Sequence, residues 1–198
     1  MAGCAIGRSA AVRCGVAAAA VAVGVLAGCS SEPEFEWPED LLEQPSATLA
    51  PAEAAAADEI LTAFDAFRQM EIVVQADPEP AHLAQDQLSE YLADPLLTEA
   101  LFEIDMMHRR GLAREGEPRW DAEVLDLQVD GAPPTATVRD CLDATGWRLT
   151  ERASGAAADP DGLPARFSLD RYVMEFRAIF IDGRWLFDEA RVERGEQC

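Results

Sequence analysis

The sequence predicts an α+β domain, three helices followed by an antiparallel meander of four or five strands. Apolar residues recur about every 3.6 positions from Ala52 to Gly111, and at every second position after it. Asp182-Gly183, set between two alternating runs, is a hairpin signal of the two-residue kind. Helices first and strands second is the order of an α+β layout, assigned to residues 52–198 as a single domain.

In the first helix Ala63, Phe67, Met70 and Val74 form an apolar stripe with Ile60 and Phe64 beside it, and Asp77-Pro78 and Pro80 end it. A shorter helix is expected from Ala81 to Leu92. Asp94-Pro95 then reads as an N-cap with proline at the first helical position. The third helix carries Leu97, Ala100, Leu101, Ile104 and Met107 inward and stops at Gly111. Strands are expected over Glu123–Val129, with Leu125, Leu127 and Val129 on one face, and over Thr135–Ala144, with Cys141 opposite Ala136, Val138 and Leu142. Trp147–Arg152 is a third. Arg166–Ile181 is a long fourth, returning through Asp182-Gly183 into Trp185–Val192.

Ahead of the domain the chain changes character at Cys29. Residues 1–28 hold Arg8 and Arg13, no acidic residue, and an apolar run from Cys14 to Gly28. That run is short of the roughly 20 residues a spanning helix needs, and the pattern is that of a secretory signal peptide. Its end, Leu26-Ala27-Gly28-Cys29, resembles the bacterial lipobox. The resemblance implies diacylglyceryl transfer to the Cys29 thiol and cleavage just before it. Two acyl chains hold a protein stably on a bilayer, whereas one holds it marginally. The expected location is therefore the extracytoplasmic face of the cell membrane, lipid-anchored. Residues 29–51, rich in Pro, Glu and Ser, read as an acidic flexible tether, although Phe35, Trp37, Leu41 and Leu42 are unusual in one.

All 37 acidic residues and 14 of the 16 arginines lie beyond Cys29, and lysine is absent, so the remaining chain carries −23. A charge of that sign excludes nucleic acid as a partner and argues against lying flat on anionic lipid. Solubility explains it without a partner. Cys4 and Cys14 fall in the signal peptide, which leaves Cys141 and Cys198 in an oxidising compartment and pairs them as a disulfide. The rival reading of Cys141 as a nucleophile has no motif behind it.

The element order, with a last hairpin of the form "IDGRWLFDEARV", resembles the nuclear-transport-factor-2-like fold, which includes SnoaL-like cyclases. That fold implies helices packed in a curved antiparallel sheet, a cone with an apolar pocket. A closer resemblance is to small actinobacterial lipoproteins, in which a strand like "ATVRDCLDATGW" precedes a closing Gly-Arg-Trp hairpin and a C-terminal Cys. These families imply no settled function.

Enzymes of this fold place Asp, His, Tyr or Arg in the cone, so such groups on apolar faces are the catalytic candidates, and the two that stand out, His108 and Asp140, are weak ones. His108 stands four residues after Ile104 and seven after Leu101, on the inward stripe; a histidine in a last helical turn also serves free carbonyls. Asp140 shares a face with Val138 and Leu142. Three readings stand for it: a buried ion pair with an arginine, an exposed edge, or an acid or base of raised pKa. Asp159-Pro160-Asp161-Gly162 is a turn rather than a calcium loop. No zinc cluster, phosphate loop or Ser-His-Asp signature is present, so no metal or cofactor is implied.

The first functional expectation is a non-catalytic module binding a small apolar ligand or a cell-envelope protein. The alternative is an isomerase, dehydratase or cyclase; a third is a passive spacer. Polar groups converging in the cone would favour catalysis, a purely apolar cone ligand binding, and a collapsed cone a protein partner.

Overall fold

The computed structural model describes residues 50–193 and Cys198. The expected signal peptide, Cys29 and nearly all of the tether lie outside the described residues. The described part belongs to one compact unit, Ser46–Cys198.

Three helices precede six strands: α1 Pro51–Ala76, α2 Ala81–Leu88, α3 Leu96–Arg110, β1 Leu112–Gly116, β2 Arg119–Gln128, β3 Thr135–Asp143, β4 Trp147–Glu151, β5 Arg171–Ile181 and β6 Arg184–Glu193. The strands form two antiparallel sheets, β1-β4 and β2-β3-β5-β6. The α+β class is as expected, but the single meander is not. Leu112–Gly116 is an additional strand, and it draws β4 out of the main sheet. Its sequence, "LAREG", has no alternation, and its first three residues are all buried. Gly116 makes the pairing possible. It adopts φ +89°, and a β-carbon there would fall 2.0 Å from the Gly146 carbonyl oxygen.

Each helix end has a local cause. Pro51 stands at the first helical position of α1, where a missing N–H costs nothing, and the Glu53 carboxylate accepts the Ala50 N–H at 2.9 Å. α2 ends at Leu88, four residues short of the expected limit. The chain then runs along β6, with Phe187 exchanging backbone hydrogen bonds with Tyr91 and Ala93. Pro95 occupies the N-cap position itself, so α3 starts one residue later than expected, and Thr98 Oγ1 donates to Asp94 Oδ1 at 2.6 Å. Gly111, at φ 64°, ends α3 in the left-handed conformation.

Bulges bend the main sheet. Leu125 is an extra residue against β3, between the pairs Val124–Val138 and Asp126–Thr137. It reverses the expected facing only as far as Leu125: Val124 turns inward with Trp120 and Ala122 and Leu125 is exposed, whereas Leu127 keeps the inward face expected of it. A second bulge places Asp188 unpaired in β6, between Phe187 and Glu189. There it receives two hydrogen bonds from Arg177, at 2.9 and 2.7 Å. The long strand expected from Arg166 begins only at Arg171, because residues 165–168 form a 3₁₀ turn.

The core lies between the helices and the main sheet. Phe64, Phe67, Phe176 and Phe187 pack edge-on or tilted, with ring centroids 5.1–6.1 Å apart. Trp120 Nε1 donates to Asp65 Oδ1 at 2.7 Å, tying β2 to α1. The Cys141 and Cys198 sulfurs stand at disulfide distance, 2.15 Å, with Cα atoms 5.8 Å apart.

Candidate functional site

The face of α1 that enters the core is only partly apolar. Arg68, Glu71 and Gln75 follow Phe64 at four, seven and eleven residues, one side of a helix, and all three are buried. Across from them, Asp140 projects from β3 between Val138 and Leu142 with no solvent exposure. A guanidinium with no partner here would cost several kcal/mol of desolvation, on the order expected for any buried ion. Arg68 instead bonds on both sides: Nη1 donates to Glu71 Oε2 at 2.6 Å, and Nη2 to Asp140 Oδ2. Its flat group also lies 5.0–5.6 Å from the ring centroids of Phe64, Phe67 and Phe176.

The chain of contacts continues along α1. Gln75 Nε2 donates to Glu71 Oε1 at 3.1 Å, which leaves Gln75 Oε1 without a hydrogen-bond partner among the described residues. The amide cannot be reversed, because the carboxylate it faces only accepts. The resulting order is Asp140, Arg68, Glu71, Gln75.

This row borders a cavity of about 620 Å³ between α1, α3, the 3₁₀ turn and the inner face of β5 and β6. Small-molecule sites have volumes of about 300–1,000 Å³. Leu88, Leu92, Leu96 and Ala100 give it an apolar wall. Its polar wall is formed by Glu71, Glu103, Arg166 and Tyr172. Arg166 Nη2 pairs with Glu103 Oε2, joining the 3₁₀ turn to α3. Its guanidinium lies 5.1 Å from the Phe167 ring centroid.

Electrostatics separate the acids. Burial raises the Glu71 pKa, but Arg68, Arg166 and Arg114 more than reverse this and hold it below the ordinary glutamate value. Burial pushes Asp140 up, with Arg68 only partly opposing, and pushes Glu103 up against Arg166 in the same way. Arg68 is stabilised in its charged form by two carboxylates, Glu71 and Asp140. Tyr172, raised by burial, keeps its phenolic proton within the fields of Arg166, Arg68 and Glu71. Behind this wall Arg114 is held between Trp147 and Phe167, 4.1 and 4.4 Å from their centroids. Burial lowers its pKa to about 10.

The two catalytic candidates lie in different places. Asp140 forms the buried ion pair that was one of its three readings, and it is behind Arg68 rather than on the cavity wall. His108 is half-buried at the other end of α3, where Nδ1 donates to the Pro78 carbonyl at 3.0 Å. Arg152 Nη1 donates to the same carbonyl at 3.1 Å and pairs with Asp77 through Nη2. His108 thus fastens the α1–α2 turn to α3, away from the cavity. Cys141 faces away from Asp140, paired with Cys198. In the turn at 159–162, Arg110 donates to the carbonyls of Asp159 and Asp161.

Sequence reading missed Arg68, Glu71, Gln75, Glu103 and Arg166. The first three had a signal, since they fall on the apolar stripe of α1. Arg166, taken as the start of a strand, had none.

No family model matches the chain, and no curated protein matches it. Among solved structures, the intermembrane space region of the chloroplast protein ARC6 is similar at 12% identity and a TM-score of 0.46. The match covers 69% of this chain and 95% of that one. A likeness of this degree says nothing about function.

Proposed function

We propose that this chain is a lipid-anchored extracytoplasmic lipoprotein whose folded domain binds a small molecule. The anchoring half of the reading rests on the sequence "VGVLAGCSS", with Cys29 as the lipidated residue. The binding half rests on one observation, the cavity of about 620 Å³ between the helices and the sheet. Among the described residues no helix is long and apolar enough to cross a membrane.

Anchoring is tested by metabolic labelling with an alkyne fatty acid in a bacterial host. The wild-type chain is expected to take the label and Cys29→Ala to lose it; label retained in the variant would refute lipidation at Cys29. Binding is tested by native mass spectrometry of the chain purified from that host. An added mass that leaves on denaturation supports an occupied cavity. A bare mass from several preparations, with no gain on exposure to lipid extract, counts against it.

The convergence of Glu71, Glu103, Arg166 and Tyr172 also favours a second reading, an isomerase- or dehydratase-type enzyme. Glu103, on the wall and with its pKa raised by burial, would then supply the proton-transfer group. Ligand recovered as one unchanged species after long incubation supports binding. Conversion that stops in Glu103→Gln supports catalysis.

A further inference from the structure

We propose that the cavity takes an uncharged amphiphile, with a hydroxyl or amide N–H head against Glu71, Arg166 and Tyr172 and an apolar body along Leu88, Leu92 and Leu96; this rests on the binding reading above. The inference follows from the sum of charges at the polar wall. Two guanidiniums (Arg68, Arg166) and two carboxylates (Glu71, Glu103) that line it are joined in pairs, Arg68 with Glu71 and Arg166 with Glu103, and they cancel. An ionised head would lose its hydration without gaining a net countercharge.

The individual contacts point the same way. Arg68 is engaged by Glu71 and Asp140, Arg166 by Glu103, and Arg171 by Asp143. An anion would meet an Arg166 whose charge Glu103 already matches, and Glu99 and Glu193 also border the cavity. A cation would lie beside Arg166 and Arg68, which both line the cavity. A hydroxyl suits the wall because it both donates and accepts. It can donate to the remaining lone pairs of Glu71 or Glu103 and accept from the Tyr172 phenol, which stays protonated. Gln75, where the row ends, also lines the cavity, with its Oε1 buried and without a hydrogen-bond partner among the described residues.

The test uses the whole mature chain, residues 29–198 with Cys29→Ser, secreted unlipidated into an oxidising periplasm. N-phenyl-1-naphthylamine, a neutral fluorophore, reports occupancy. Monolauroylglycerol, laurate and dodecylammonium, which share one hydrocarbon chain and differ in head charge, compete for it below their micellar concentrations. Monolauroylglycerol is expected to displace the fluorophore at least about tenfold more tightly than either ion, the ratio that one net hydrogen bond supplies. Tyr172→Phe should weaken monolauroylglycerol about tenfold. Laurate or dodecylammonium binding as well as the neutral competitor would overturn the ligand class and leave the binding reading standing. A fluorophore that does not bind, or that binds equally to a folded Ala100→Trp variant with its cavity filled, would remove both.

Discussion

Arg68 and Asp140, 72 positions apart in sequence, form an ion pair in which one side chain is 2% exposed and the other not at all. The pair joins α1 to β3 through the aromatic core and fixes the orientation of Glu71 at the cavity wall. A buried pair adds little compared with a well-packed apolar substitute, but breaking it from one side is costly. The two partners are not equivalent, because Arg68 bonds two carboxylates, Glu71 and Asp140, whereas the ion pair of Asp140 is with Arg68. Arg68→Met leaves Glu71 and Asp140 buried without their cation, and is expected to lose about 3–5 kcal/mol. Asp140→Asn leaves Arg68 paired with Glu71 and should lose about 1–3 kcal/mol. Urea denaturation of the two variants checks the order. Equal losses would mean that Glu71 does not hold Arg68.

How much of this could be read in the sequence depends on the range of the interaction. Periodicity located the helices, the hairpin at Asp182-Gly183 and the inward face of β3, because each is set by neighbours a few residues apart. It also put Asp140 on the apolar face, so that a buried ion pair was one of its readings. What it did not give was the partner, since Arg68 is joined to Asp140 only by packing α1 against the sheet. Leu125 shows a second limit: a single bulge residue reverses the facing of everything before it, and the alternation in "EVLDLQV" carries no mark of that. β1 shows a third. Its pairing with β4 depends on Gly116 meeting Gly146, a contact between backbones with no hydrophobic pattern.

The Cys141–Cys198 pair closes a loop of 57 residues and holds the end of the chain against the central strands of the main sheet. In the chain-entropy account a loop of that length contributes about 4 kcal/mol. Cys198→Ser is therefore expected to lower stability by up to about 4 kcal/mol, and the same loss should follow reduction of the wild-type chain. Intact mass under non-reducing conditions should fall two hydrogens below the reduced value. A full thiol count in the native protein would rule the bond out.

His108 is expected to act on stability and not on the ligand. Removing its bond to the Pro78 carbonyl by His108→Ala should lose about 1 kcal/mol, with Arg152 still bonded to the same oxygen. Fluorophore and monolauroylglycerol binding should be unchanged, since the ring is outside the cavity wall. A large loss of binding with little loss of stability would contradict this placement and return His108 to the functional residues.

Glu71 and Glu103 both face the cavity, yet their pKa values move in opposite directions, and stability should depend on pH oppositely at the two sites. For Glu71 the folded-state pKa lies below the unfolded one. Its ionised form therefore stabilises the fold at pH above the ordinary glutamate range, and this is lost as pH falls through the depressed value. For Glu103 the folded-state pKa lies above the unfolded one, so its ionisation weighs against the fold once pH exceeds that raised value. Glutamine keeps the shape and removes the titration. The penalty of Glu71→Gln relative to wild type should be largest near neutral pH and shrink on acidification below the ordinary glutamate range. Glu103→Gln should gain on wild type as pH rises from that range to neutrality. Thermal denaturation across pH 3 to 8, a window about as wide as both titrations together, reads the two slopes. Slopes of the same sign would mean that Arg68 and its neighbours do not control Glu71, and that the charge balance at the polar wall is not the one described above.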